Sequence, residues 1–209
     1  MLHHDEEFLK PYLPKARLAC AINVGAHEGG WVAELQKCFQ SVIAVECDPH
    51  SVKILEERFP RGQGVEVIDA AGWIVSGQTM DFHVREGAAH MSSALACRDI
   101  LRDGGVAETI RVATIAIDDI PKQACDLILV DVEGSEVQVL MGATKTIEAW
   151  HPDLLVETHE PEHRAWCQEW LLRAGYNVAL LHEPHREMSD EWGRHVYVVA
   201  QYYRFRGSY

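Results

Sequence analysis

Asp131, Glu157 and His159 are the side chains in this sequence best suited to chemistry. Asp131 closes the apolar run Leu127-Ile-Leu-Val130, while Glu157 and His159 stand two residues apart at the end of another run, Pro152–Thr158. If the second run continues as a strand, Glu157 and His159 share one face. Such groups can take the proton of a hydroxyl. As two oxygen ligands and one imidazole they could instead hold a hard divalent cation that lowers the hydroxyl's pKa; the expectation is no metal, with that set as the alternative. A second constellation lies upstream, where Asn23-Val-Gly-Ala-His-Glu-Gly-Gly30 is followed by Val42-Ile-Ala-Val-Glu46. Here one apolar run ends in a glycine-rich turn and the next ends in an acid. Glu46 lies about 21 residues beyond Gly25, close to the offset that places a carboxylate on a ribose in doubly wound folds. The two run ends suit an adenosine-like ligand.

Strand and helix patterns alternate along most of the chain, the signature of a parallel sheet covered on both faces. Leu18–Val24, Val42–Glu46, Val65–Ala71, Cys125–Val132 and Pro152–Thr158 read as its strands. A helix is expected from about Gly29 to Phe39, with Trp31, Leu35 and Cys38 at helical spacing. Asp48-Pro49 supplies a cap and a first-turn proline to the next helix. Ser135 and Gln138 fit a capping box for a helix through about Trp150, and Gly175 closes one over Glu162–Ala174. Val178–Leu181 and His195–Gln201 form a closing antiparallel pair. Residues 73–120 break the rhythm: Met80–Val84 and Ile110–Ile115 alternate like half-exposed antiparallel strands, and this β-rich insertion is a candidate substrate cover. No linker or repeat divides the chain, so a single α/β domain is expected over 1–209, with 1–17 as an N-terminal segment.

A nicotinamide dinucleotide needs backbone against its pyrophosphate, hence a G-x-G-x-x-G turn. This chain has Gly25-Ala-His-Glu-Gly29-Gly30, with bulky His27 at the second glycine position. S-adenosylmethionine has no pyrophosphate, and the spacing favours it over NAD. Asn23, Gly25, Ala26, His27, Glu28 and Gly29 then face the donor's methionyl end, and Glu46 takes its ribose hydroxyls. Asp69 and Ala70, at the next strand end, lie where adenine would rest, and Asp131 could meet the donor's amino group or the acceptor. Glu133, Ser92 and Ser93 are candidate acceptor contacts.

In order along the chain stand Val24-Gly-Ala-His-Glu-Gly29, Ile43-Ala-Val-Glu46, Ala70-Ala-Gly72, Ser92-Ser93, Ile115-Ala-Ile-Asp-Asp-Ile120, Asp131-Val-Glu-Gly-Ser-Glu136 with Val139-Leu-Met-Gly-Ala143, and Val156-Glu-Thr158. This series resembles the FkbM family of class I methyltransferases over roughly Ala21 to His159. The resemblance implies a single doubly wound Rossmann-like domain with a mostly parallel seven-stranded sheet and an antiparallel C-terminal strand. It also implies S-adenosylmethionine-dependent O-methylation of a hydroxyl on a natural product, sugar or related small molecule. Two positions depart from the pattern: the family usually has Asn where His27 stands, and often Lys where Leu129 stands. An NAD-dependent oxidoreductase and a non-catalytic adenosine-cofactor module are the alternatives.

Composition narrows the partners. The formal charge of −13 on 209 residues, with no basic stripe, argues against a nucleic-acid backbone. No apolar run reaches membrane-spanning length and the acidic N-terminus lacks a signal pattern, so a cytoplasmic protein without membrane contact is expected. The six Cys show no CxxC or zinc spacing and read as small buried residues in a reducing compartment. A homodimer is an open expectation for a domain of this size.

Overall fold

The structure is a computed structural model and describes residues 9–85, 106–182 and 196–202. In chain order its regular elements are β1 (Leu18–Val24), α1 (Gly30–Cys38), β2 (Phe39–Glu46), α2 (Pro49–Arg58), β3 (Val65–Asp69), β4 (Ala71–Gly72), β5 (Thr79–Arg85), β6 (Val106–Ile115), a 3₁₀ turn (Ile117–Asp119), β7 (Leu127–Val130), α3 (Glu136–Met141), α4 (Thr144–Trp150), β8 (Asp153–Thr158), α5 (Pro161–Arg173), β9 (Tyr176–His182) and β10 (Val196–Tyr202).

Seven strands form one sheet in the order β3-β2-β1-β7-β8-β10-β9. β3, β2, β1, β7 and β8 pair in parallel. β10 runs antiparallel to both β8 and β9, which is the expected closing pair. The apolar runs are continuous because both faces of the sheet are covered. Alternate residues of β1 go to opposite sides: Cys20, Ile22 and Val24 join Ile128, Val139 and Leu171 on one face, and Ala21 joins Leu35, Leu55 and Leu129 on the other. Fully burying each Leu or Ile contributes about 1.5–3 kcal/mol, so these two layers hold the sheet rigid. The strand order reverses between β1 and β7, and in open α/β sheets ligands bind at the carboxyl ends of strands beside that reversal.

Two expected elements come out differently. The third strand stops at Asp69: Ala70 N–H still bonds to the Glu46 carbonyl, and the chain then leaves the sheet. Ala71 and Gly72 pair instead with β6, in a small sheet of order β4-β6-β5. The predicted helix from Ser135 to Trp150 is two helices. Gly142 passes against another backbone there: a Cβ on it would lie 2.0 Å from the Trp73 carbonyl oxygen. The capping box does not form either, since Ser135 Oγ donates to the Val132 carbonyl and makes no bond to the helix. α4 is capped from a distance by Asp118, whose carboxylate accepts from Lys145 N (3.0 Å) and Thr146 N (2.7 Å).

Candidate active site

The glycine-rich turn after β1 places every second residue in the left-handed region: Gly25 (φ 78°), His27 (φ 47°) and Gly29 (φ 83°). The two glycines answer to packing. A Cβ on Gly25 would sit 1.6 Å from the Asp131 carbonyl oxygen, and one on Gly29 would sit 2.4 Å from the Phe59 ring. Gly25 thus lets the β1 turn lie directly against the end of β7, while Gly29 seats the turn on α2. His27 takes its conformation without glycine, in a region where Asn and His are among the better-tolerated residues. That is the physical reason His can stand where the family usually has Asn.

Glu46 ties this turn to the end of β2. Its buried carboxylate accepts from His27 N (2.7 Å), Cys47 N (2.7 Å) and Asp48 N (2.8 Å). Burial pushes its pKa up, and these three backbone bonds oppose that shift. Oε1 takes two of the bonds and Oε2 one. Asp69 stands beside Glu46 in register, exposed, and burial of its surroundings raises its pKa as well. Ala70 is buried. Asn23 is fully buried, and neither its amide nitrogen nor its amide oxygen has a hydrogen-bond partner. Register sets it between Ala44 and Leu129.

On the other side of the reversal, β7 and β8 bring the second constellation together around His159, whose side chain is 3% exposed. Its Nε2 lies 3.3 Å from Glu133, 3.8 Å from Asp131 and 3.8 Å from Glu157. Its Nδ1 lies 2.7 Å from Oε1 of Glu136. Glu133, Glu136 and Glu157 together hold the imidazole's pKa well above its ordinary value, against the opposing effect of burial. Glu136 lies wholly inside, and both His159 and His163 hold its carboxyl below the usual range although burial works the other way. Tyr197 donates to Glu157 from the neighbouring strand β10. Glu133 and Gly134 both have positive φ (47° and 97°), a double left-handed turn that folds the Glu133 carboxylate back over His159. Of these carboxylates Asp131 is the accessible one, at 29%.

Asp131, Glu157 and His159 are therefore brought together, and Glu133 with them. Glu136 and His163 were missed from the sequence. The paired acids of Asp131-Val-Glu-Gly-Ser-Glu136 were the available signal, but nothing in the spacing says that the last of them points inward. Glu133 rather than Glu157 completes the tightest group: with Asp131 and His159 its donor atoms lie within 4.8 Å of one another. A metal requires a neutral imidazole nitrogen. The carboxylates that favour a proton on that ring would equally favour a cation beside Nε2, and each of the three residues offers one donor atom. Ser92 and Ser93 lie outside the described residues.

The insertion anchors on the β2–β3 side. Phe82 and Val112 of the β5–β6 hairpin pack with Cys47 and Ala71, next to Glu46 and Ala70. Its described part thus adjoins the expected adenosine end, while Asp118 fastens its far end to α4. The described cysteines are free thiols. Among the described residues no helix is long and apolar enough to cross a membrane.

The sheet order, the turn after β1, the acid ending β2 and the reversal beside Asp131 are those of the Rossmann-like fold of class I methyltransferases. A family model described as the methyltransferase FkbM domain matches residues 23–178, and the chain belongs to that family. No curated protein matches it in sequence. Among solved structures, the FkbM methyltransferase from Methylobacillus flagellatus is similar at 18% identity with a TM-score of 0.61, over 93% of this chain and 47% of that one. This chain thus spans about half the length of that protein. A Streptococcus mutans protein solved in complex with SAH is similar at 10% identity and a TM-score of 0.58, over 96% and 99% of the two chains. An O-methyltransferase from Thermotoga maritima shares 11% identity and a TM-score of 0.55, over 98% and 67%. Family membership sets the nicotinamide alternative aside.

Proposed function

We propose that this protein transfers a methyl group from S-adenosylmethionine to a hydroxyl of a small molecule, natural product or sugar. The observation that carries this reading is the meeting of two groups at one strand reversal: a ribose-type carboxylate with its turn, and a buried imidazole ringed by acids. The residues fit the donor. Glu46 keeps acceptor capacity on Oε2 for ribose hydroxyls, Ala70 and Asp69 border the adenine side, and the unpartnered amide of Asn23 lies beneath the turn. When bound, the donor would supply an electrophilic methyl carbon on a sulfonium whose sulfur is the leaving group.

The chain's own task is to orient the hydroxyl, exclude water and take the proton. Orientation alone can lower the barrier by about 7–11 kcal/mol at best, and a positioned base contributes about 10²–10⁴-fold. Asp131 is accessible and meets the hydroxyl, with His159 Nε2 behind it at 3.8 Å. The two accept the proton as a coupled pair, so the apparent pKa belongs to the pair. Because neighbouring acids keep a proton on His159, turnover rises with pH through a midpoint above the ordinary histidine value. The acidic surface and the lack of a basic stripe agree with a small acceptor rather than a nucleic acid.

Calorimetric titration with SAH tests the cofactor assignment, with NAD as the control. Binding of SAH alone is the expected result, and no SAH binding by the folded protein would overturn the reading. Methyl transfer from radiolabelled donor to a panel of hydroxyl compounds, compared with amines and thiols, tests the acceptor class.

A further inference from the structure

Glu136 begins α3 with both carboxylate oxygens engaged by histidines: Oε1 meets His159 Nδ1 at 2.7 Å and Oε2 meets His163 Nδ1 at 2.8 Å. Oε1 also accepts from Gly134 N at 3.0 Å. The residue is wholly buried, so these bonds rather than water satisfy it. An ionised carboxylate only accepts hydrogen bonds, so both Nδ1 atoms must carry hydrogen. For His159 this decides the tautomer: Nδ1 stays protonated, and Nε2, facing Asp131, Glu133 and Glu157, is the nitrogen that gains or loses a proton. His163 lies in the first turn of α5 with its side chain 25% exposed, so one end of this hydrogen-bonded row touches solvent and the other lies behind Asp131.

We infer that Glu136 is a positioning residue for the reaction, fixing His159 as the Nδ1–H tautomer, and that His163 adjusts the basicity of His159 through the shared carboxylate. The inference rests on the methyltransferase reading for its role in catalysis, but the geometry it invokes does not. The logic is that of a carboxylate orienting a catalytic imidazole, here with a second imidazole on the opposite oxygen. Protonation of His163 draws negative charge away from His159 and weakens its hold on the Nε2 proton. Besides Glu136, the acids Glu160 and Glu162 also act on His163.

The test uses the full chain labelled with ¹⁵N-histidine, and follows ring nitrogen shifts against pH by NMR. In the wild type, His159 Nδ1 should remain protonated throughout while Nε2 alone titrates. Glu136→Gln should release the tautomer and weaken proton binding by His159 tenfold or more, seen as a midpoint at least one pH unit lower. The exposed-side variant His163→Gln should raise the His159 midpoint, and should do so only when Glu136 is present. An unchanged His159 tautomer and midpoint in folded Glu136→Gln would overturn the inference, as would an equal His163→Gln effect with and without Glu136. If Glu136→Gln does not fold, the wild-type spectrum decides the tautomer: an Nδ1 of His159 that loses its proton while Nε2 keeps its own would overturn the inference. SAH titration of the same samples keeps the two readings apart: wild type that does not bind SAH removes the methyltransferase reading and leaves the tautomer result standing.

Discussion

Replacing Gly25 by alanine attacks the contact that joins the two halves of the site. The new Cβ would lie 1.6 Å from the Asp131 carbonyl oxygen and 2.7 Å from its carbon, and φ at this position is +78°. Left-handed backbone costs an alanine about 1–2 kcal/mol. Forcing extra volume into a packed site costs about 1–3 kcal/mol more, toward the upper end here because the obstacle is main chain. Gly62 supplies the control: its φ is +88° and nothing lies within 4 Å of the added carbon, so Gly62→Ala pays only the backbone part. With about 2–4 °C of Tm per kcal/mol for a chain of this size, Gly25→Ala should melt about 10 °C below wild type and Gly62→Ala only a few degrees below. Thermal unfolding followed by circular dichroism reads both. Gly25→Ala should also weaken SAH binding, because the turn and Asp131 are pushed apart. Equal losses of Tm in the two variants would refute the reasoning, since the contact would then contribute nothing.

Further outcomes follow from the same geometry. Glu46→Gln turns one acceptor oxygen into a donor facing backbone N–H groups, and should weaken SAH binding tenfold or more by calorimetry and lower stability by about 1–3 kcal/mol. Asp118→Ala removes the carboxylate that caps α4 and should cost about 0.5–2 kcal/mol in urea unfolding, with SAH affinity unchanged. His27→Asn should leave stability within about 0.5 kcal/mol, whereas β-branched His27→Val should cost about 1–2 kcal/mol at its left-handed backbone. His159, with its pKa raised by Glu133, Glu136 and Glu157, contributes stability that is fully present below about pH 6.5 and lost as pH rises through its folded pKa. Denaturant midpoints should therefore fall on the alkaline side, and His159→Gln should flatten that limb; an equally steep limb in the variant would show that His159 is not its source.

Much of the sheet was legible because its strands are written in local residue types. Leu127–Val130 and Val42–Val45 are apolar without a break, as strands covered on both faces are, and Asp48-Pro49 marks a helix start, where the Asp48 carboxylate accepts from His50 N and Ser51 N. The errors fell where a distant segment decided the outcome. Gly142 reads as a tolerable helix glycine until Trp73 is seen against it, and Ser135 reads as a cap until its hydroxyl is seen bonding to Val132. Gly25 and Gly29 looked like turn residues shaped for a ligand, yet the atoms nearest their missing side chains belong to Asp131, Phe59 and Leu55.

The sequence by itself determined the alternation of elements, the acid at the end of β2 and the presence of Asp131, Glu157 and His159 at strand ends, because periodicity and apolar runs are properties of neighbouring residues. It could also carry the family likeness, since the motifs are contiguous. Only the tertiary structure decided that Glu133 and Glu136 turn inward to hold His159 from both nitrogens, that His163 shares Glu136, and that the insertion leans on the Glu46 side. Those facts depend on left-handed turns at Glu133 and Gly134 and on the packing of α3 and α5 beside β8. Charges brought together by such turns interact through space, and spacing along the chain does not encode that distance.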